Sequence, residues 1–285
     1  MEYSTISMKI GYRGKDIVQG FVIKLLHYSV FSLVIVYTFY SYYGFYSYYI
    51  FHTYYITYPS CVFKRFYSDI SKSSKISKQY KKEYELTQEQ KESLIGIMLA
   101  DGFLEKGKPT YNTRLRIDHT YPEQKAYVFS LYSLFGQLID MEPVIIERKA
   151  DPRTGNIYKS IYVRTLRFPC LNEYHSLFYK DKKKVIPLNI QDLLTPRGLA
   201  HLIMGDGFIY NGIIMLCTES FTKEEQELLI SALHENFVIQ ATLNRRISST
   251  GIQSYRMRIS KKSMNKWIVL VKPYFIPEML YKLGI

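Results

Sequence analysis

The sequence predicts an α+β fold made of two copies of one αββαββα unit, over residues 86–193 and 194–285. Three observations predict it. Two apolar, small-residue-bearing stretches, residues 94–102 and 199–207, each close on Asp-Gly-Phe. Each is opened by a helix-start signal. Each is followed by the same order of turn, strand-like run, amphipathic helix, hairpin and closing helix.

The elements follow in chain order. Leu86-Thr87 opens the first helix, with Thr87 as N-cap and Gln90 three residues on completing a capping box. Leu94, Ile97 and Met98 continue at helical spacing, and Asp101-Gly102 is the stop. Leu194-Thr195-Pro196 repeats this start with Pro at the first helical position, and Asp206-Gly207 repeats the stop. Turns at Lys106-Gly107-Lys108-Pro109 and Tyr210-Asn211-Gly212 lead into strand-like runs 113–119 and 213–218. The first hairpin of the second unit has the weaker pattern. Amphipathic helices are expected at 122–138 and 223–237. Hairpins are expected to pair 144–149 with 158–166 and 241–247 with 254–259.

The chain has 285 residues and a formal charge of +13, which points to a polyanionic partner, nucleic acid or an anionic membrane surface. Its three cysteines (Cys61, Cys170, Cys217) are scattered without a C-x-x-C, which argues against a disulfide framework or zinc site, and its histidines are isolated. Tyrosine reaches 28 residues alongside abundant Ile, Lys and Phe, residues with A+T-rich codons. That bias predicts an organellar, mitochondrial gene.

Residues 1–63 stand apart as an apolar, Tyr-rich leader or membrane-like segment. Residues 25–63 hold no Asp, Glu, Lys or Arg, and 31–56 is long enough for a bilayer, which takes about 20 residues. Yet tyrosine prefers membrane interfaces to the hydrocarbon centre. A membrane anchor, a leader absent from the active protein, and a packed extension all fit. Residues 64–85 form a basic Ser/Lys linker with too few apolar residues to fold alone, either a tether or a segment touching phosphates.

The terminal aspartates carry chemistry. A carboxylate at a helix C-terminus sits where the macrodipole is negative, so its repetition suggests that Asp101 and Asp206 meet and hold a divalent cation. Close carboxylates repel and burial raises their cost unless a cation bridges them. A hard ion such as Mg²⁺ takes oxygen ligands, and the carbonyls of Ala100 and Gly205 are candidates for more.

Leu94, Gly96, Ala100, Asp101 and Gly102, with Leu199, Ala200, Leu202, Ile203, Asp206 and Gly207, resemble the two signature motifs of the LAGLIDADG homing endonucleases. Leu99 and Met204 replace the motif's first Asp, and His201 replaces its first Gly, on what the resemblance makes the helix–helix face. Lys183-Lys184-Val185-Ile186-Pro187-Leu188-Asn189, Thr218-Glu219-Ser220-Phe221-Thr222 and residues 272–283 are similar to the single-chain, two-motif, omega-type members encoded in mitochondrial introns. The similarity covers residues 86–283.

This resemblance implies that the motif helices pack at the repeat interface and that the antiparallel sheets form a DNA-binding saddle. It adds Lys184 and Lys282 to Asp101 and Asp206 as catalytic residues, with Mg²⁺ (or Mn²⁺) as cofactor. It implies a monomer that cuts both strands of a long double-stranded DNA site and promotes intron mobility. Glu219 stands where the family usually has Gln, an added acid near the ion, and His119 falls near the corresponding place in the first unit. Arg114 with Arg116, and Arg256 with Arg258, have the two-residue spacing that shares one strand face and suits base reading. Arg164 and Arg167, offset by three, need a bulge to do so, and Lys159, Arg245, Arg246 and Lys261 add positive charge. Group I intron RNA maturation, a non-cutting DNA-binding remnant, and a membrane protein led by residues 25–63 are the competing readings.

Overall fold

The structure, a computed structural model, describes residues 76–247, 251 and 253–285. The N-terminal segment, its membrane reading and most of the linker lie outside the described residues. Among the described residues no helix is long and apolar enough to cross a membrane.

The first repeat runs α2 (Gln88–Leu99), β1 (Phe103–Glu105), β2 (Arg114–Tyr121), α3 (Lys125–Leu134), β3 (Val144–Glu147), β4 (Lys159–Arg164) and α4 (Asn172–Phe178). A two-stranded piece, β5 (Tyr179–Lys180) and β6 (Lys183–Lys184), and a short helix α5 (Ile190–Leu193) lead into the second repeat. That repeat runs α6 (Pro196–Asp206), β7 (Gly207–Tyr210), β8 (Ile213–Leu216), α7 (Lys223–Phe237), β9 (Ala241–Ile247), β10 (Gln253–Ile259) and α8 (Met264–Val271). The sheets have matching antiparallel orders, β1-β2-β4-β3 and β7-β8-β10-β9. The architecture is therefore the predicted α+β pair of αββαββα repeats.

Local chemistry explains the elements. The Thr87–Gln90 capping box forms, and Thr222 with Glu225 caps α7 the same way. Thr195 caps α6, with Pro196 in the first turn. The thinly patterned β7–β8 hairpin closes around Asn211-Gly212, both at positive φ (49° and 69°), as a two-residue hairpin turn requires.

Three boundaries differ from expectation. The helix expected at 122–138 is shorter, and Gly136 starts a 3₁₀ turn, Gly136–Leu138, in its place. The closing stretch 272–283 is not one α-helix: Pro273 cannot donate a backbone N–H, so α8 stops at Val271 and 3₁₀ segments Lys272–Tyr274 and Pro277–Leu283 follow. Residues 78–83, placed in the linker, form a helix α1 (Lys78–Glu83), and Tyr80 and Tyr84 pack edge-on against the buried Phe168 ring. Those aromatic contacts give the linker's end a place on the first repeat.

The two repeats meet where α2 and α6 run side by side. Their backbones touch: a Cβ added to Gly96 would lie 1.8 Å from the Gly198 carbonyl oxygen, and one added to Gly205 would lie 2.7 Å from the Ala100 Cβ. Gly198 is thus the small residue of α6 that meets Gly96 across this seam. His201 does not obstruct the seam, because its Nδ1 lies 3.0 Å from the Tyr127 hydroxyl of α3. At the far end Arg197 ties the helices, 2.7 Å from Glu89 and 3.5 Å from Glu92, and stacks over Tyr274.

Candidate active site

The chain turns sharply after each motif helix, and the turn presents the aspartate. The strand following each Asp-Gly folds back over the last helical turn so tightly that a Cβ at Gly102 or Gly207 would lie 2.5 Å from Ile97 or Ile203. Asp101 follows α2 by two residues and Asp206 ends α6. Their carboxyls are neighbours at the end of the seam, close enough that Asp101 raises the pKa of Asp206.

Burial, followed by the Asp101 charge, pushes the Asp206 carboxyl up to about 7. The Asp206 carboxyl therefore resists ionising beside Asp101 unless positive charge arrives. Lys184 and Lys282 sit on either side. Lys184 Nζ donates to the Ala100 and Gly102 carbonyls at 2.6 and 2.9 Å, and Lys282 Nζ to those of Met204 and Gly205 at 2.7 and 2.9 Å. Each ammonium thereby offsets the negative end of one motif helix. Burial lowers both lysines to about 8, against the opposing pull of Asp206 and Asp101. The carbonyls of Ala100 and Gly205, expected as ion ligands, already accept lysine hydrogen bonds. Among the described residues no three His, Cys, Asp or Glu side chains gather as a metal cluster.

The two half-sites differ chemically. His119 Nδ1 is 3.4 Å from Asp101, its Nε2 is buried with no partner among the described residues, and burial lowers its pKa to about 4. At the matching end of β8, Thr218 instead donates to Gln226 at 2.7 Å. Glu219, expected as an acid near the ion, is bound to Arg256 and Arg246, so its charge is committed to the sheet.

The basic side chains divide by strand parity. Leu115, Ile117 and His119 of β2 face the core, leaving Arg114 and Arg116 on the outer face with Arg164, the register partner of Arg116. Arg256 and Arg258 share the outer face of β10 with Arg246, the neighbour of Ser254 across the ladder. Arg245 pairs with Tyr255, on the opposite face from Arg246. Lys159 follows the Ile161–Val163 side and bonds Glu147 at 2.9 Å. Arg167 needs no bulge, because β4 ends at Arg164, and its Nη1 fastens the Glu105 and Asn112 carbonyls at 3.0 and 2.9 Å. Lys261 is exposed in a 3₁₀ turn after β10. Sequence spacing could not separate these roles without the strand ends.

Residues 91–267 match the family model described as the LAGLIDADG DNA endonuclease family. The chain is 29% identical over 210 residues to DNA endonuclease I-ChuI of Chlamydomonas applanata, covering 70% of this chain and 96% of that protein. It is 30% identical over 201 residues to cytochrome b mRNA maturase bI2 of Debaryomyces hansenii, covering 70% of this chain and 75% of the relative. The solved structure of the homing endonuclease I-WcaI bound to its DNA recognition sequence matches with a TM-score of 0.66 at 30% identity, over 74% of this chain and 93% of that one. With both motif helices, both sheets and the paired aspartates in place, the chain belongs to the LAGLIDADG DNA endonuclease family.

Proposed function

We propose that this chain is a site-specific DNA endonuclease that breaks both strands of a long target and promotes intron mobility. The observation that carries the reading is the convergence of Asp101 and Asp206 at the end of the seam, with one carboxyl held up to about 7.

The donor set fits the divalent metal ion that enzymes of this family use: two neighbouring oxygen acids, Asp101 open to solvent and Asp206 buried enough that a cation or a proton balances it. Asp101 and Asp206 would hold the ion, and Mg²⁺ or Mn²⁺ suits them as a hard oxygen-seeking cation. When bound, it polarises phosphoryl oxygens and makes coordinated water acidic. The chain's own residues do the rest. Lys184 and Lys282, held by the helix-end carbonyls, place one ammonium at each half-site, where it offsets charge building on the phosphate. The outer faces of both sheets carry the arginines that hold the duplex in register. A single chain supplies both halves, which supports a monomer. Relatives named for cytochrome b mRNA and for introns support an organellar gene.

The test is selection of cleaved sequences from a random-flank DNA library with Mg²⁺, using the full chain. Asp101→Asn and Asp206→Asn should each abolish double-strand cutting while DNA binding persists. If both variants still linearise the selected substrate, the assignment fails. A second reading, intron RNA maturation, is favoured by the two maturase relatives at 30% identity. Splicing of the host intron in vitro with purified protein separates it from cutting.

A further inference from the structure

On the outer faces of the sheets, three arginines are gripped by carboxylates in the same manner. Arg116 sends Nε and Nη2 to the same Asp118 oxygen, at 2.9 and 2.7 Å. Arg114 sends Nε and Nη2 to Glu105, its register partner on β1. Arg256 sends Nε and Nη2 to Glu219. Two of the three are also held flat, Arg116 over Tyr162 at 4.8 Å and Arg256 over Phe208 at 5.2 Å.

The three pairs are partly buried at the sheet surface, and surface ion pairs add little stability. On the face that must meet a polyanion, three carboxylates in a +13 chain work against attraction. A role in charge attraction or in folding explains neither their number nor their repeated geometry. Guanidinium chemistry does. The carboxylate takes the Nε–Nη2 edge and leaves the Nη1–Nη2 end without a hydrogen bond, Arg116 Nη1 lying 3.9 Å from the second carboxylate Glu105, and that end matches the O6/N7 pair of guanine. Fixing it in advance removes much of the rotamer entropy that a free arginine loses on binding.

We infer that Asp118, Glu105 and Glu219 determine sequence specificity by aiming Arg116, Arg114 and Arg256 at guanine. The inference rests on the DNA reading proposed above. These arginines read bases, whereas Arg258, which holds no carboxylate among the described residues, serves the phosphates. An open depression of about 230 Å³, lined by Asp101, Phe103, Glu105, Arg116 and Asp118, joins this cluster to the cutting carboxylate. The first repeat therefore reads base pairs beside its own cut.

The experiment measures binding of the full chain, in metal-free buffer, to its selected target and to every single-base-pair variant of it. Glu219→Gln and Asp118→Asn should lose about tenfold discrimination at one or two guanine positions of the matching half-site. Other positions stay as in wild type. Affinity for unrelated DNA should rise, with the log–log salt slope steeper by about one. Glu235→Gln, the same charge change on an exposed helix, should alter no position. Arg256→Lys keeps the charge but loses the fork, and should relax the same positions as Glu219→Gln. If the acid variants strengthen binding to all sequences equally, with every position still discriminated, the carboxylates only balance charge and the inference is overturned. A wild-type chain without preference for any sequence overturns the DNA reading itself.

Discussion

Replacing Gly96 by alanine sets two effects of opposite sign against each other. Intrinsic helix propensity favours Ala over Gly by about 1 kcal/mol, so an isolated α2 would gain. At the seam, however, the new Cβ would stand 1.8 Å from the Gly198 carbonyl oxygen. An ordinary carbon–oxygen contact is about 3.3 Å, so the helices must part by roughly 1.5 Å. The obstacle is backbone within a helix and cannot rotate aside. Overpacking of this kind costs about 1–3 kcal/mol, and the upper part of that range applies here. Net of the propensity gain about 1.5–2 kcal/mol remains, and at about 2–4 °C per kcal/mol for a unit of this size the melting temperature should fall by roughly 3–8 °C. Parting the helices also separates Asp101 from Asp206, and a displacement of about 1 Å at reacting groups can cost on the order of a hundredfold in rate. Scanning calorimetry and a timed cleavage assay read the two effects. Gly107→Ala, whose nearest neighbour would be a flexible arginine tip at 3.7 Å, serves as control. If Gly96→Ala melts within about 2 °C of wild type and cuts at an unchanged rate, the close backbone seam is wrong.

Burial holds His201 neutral, with a pKa near 3 against the ordinary 6.5. The unfolded chain therefore takes up a proton below pH 6.5 that the native chain refuses, so this contribution is complete above 6.5 and is lost as pH falls toward 3. Between pH 7 and 5, urea unfolding of His201→Gln should lose less stability than wild type by up to about 2 kcal/mol; an identical pH response refutes this. Asp206 has the opposite sign: its raised pKa means that the metal-free native state is burdened as pH rises through about 7. Asp206→Asn should therefore be more stable than metal-free wild type at pH 8, and an unchanged or lower melting temperature there would count against it. Lys282→Met removes the donor to the Met204 and Gly205 carbonyls and should cut nicking of one strand far more than the other, visible as accumulated nicked circles. Equal loss on both strands would show that Lys282 does not serve one half-site.

The order of elements was legible because each motif helix carries its own punctuation: Thr87 and Thr195 at the starts, Asp-Gly at the stops. The paired carboxylates were legible for the same reason, since an acid at a helix end needs an explanation. What escaped the sequence was direction. Gly198 lies two residues before Ala200, and only the crossing of α2 and α6 decides which of the two meets Gly96. His201 occupies a position assigned to the seam, yet the Tyr127 hydroxyl draws it toward α3. Arg245 and Arg246 are neighbours with identical chemistry, but strand parity sends them to opposite faces. Glu219 stood out as a departure, and only its distance to Arg256 shows which group its charge answers.

The bare backbone contact at Gly96 and Gly198 also bears on recombination between relatives. A hybrid joining the second repeat of this chain to a cousin's first half will dock only if that half keeps glycine at the Gly96 position, whereas a Cβ at the Gly198 position would stand 3.1 Å from the Glu92 carbonyl and needs only a small shift. Compatibility is thus set chiefly by one missing side chain, and swapped halves can be screened for it before any DNA is tested.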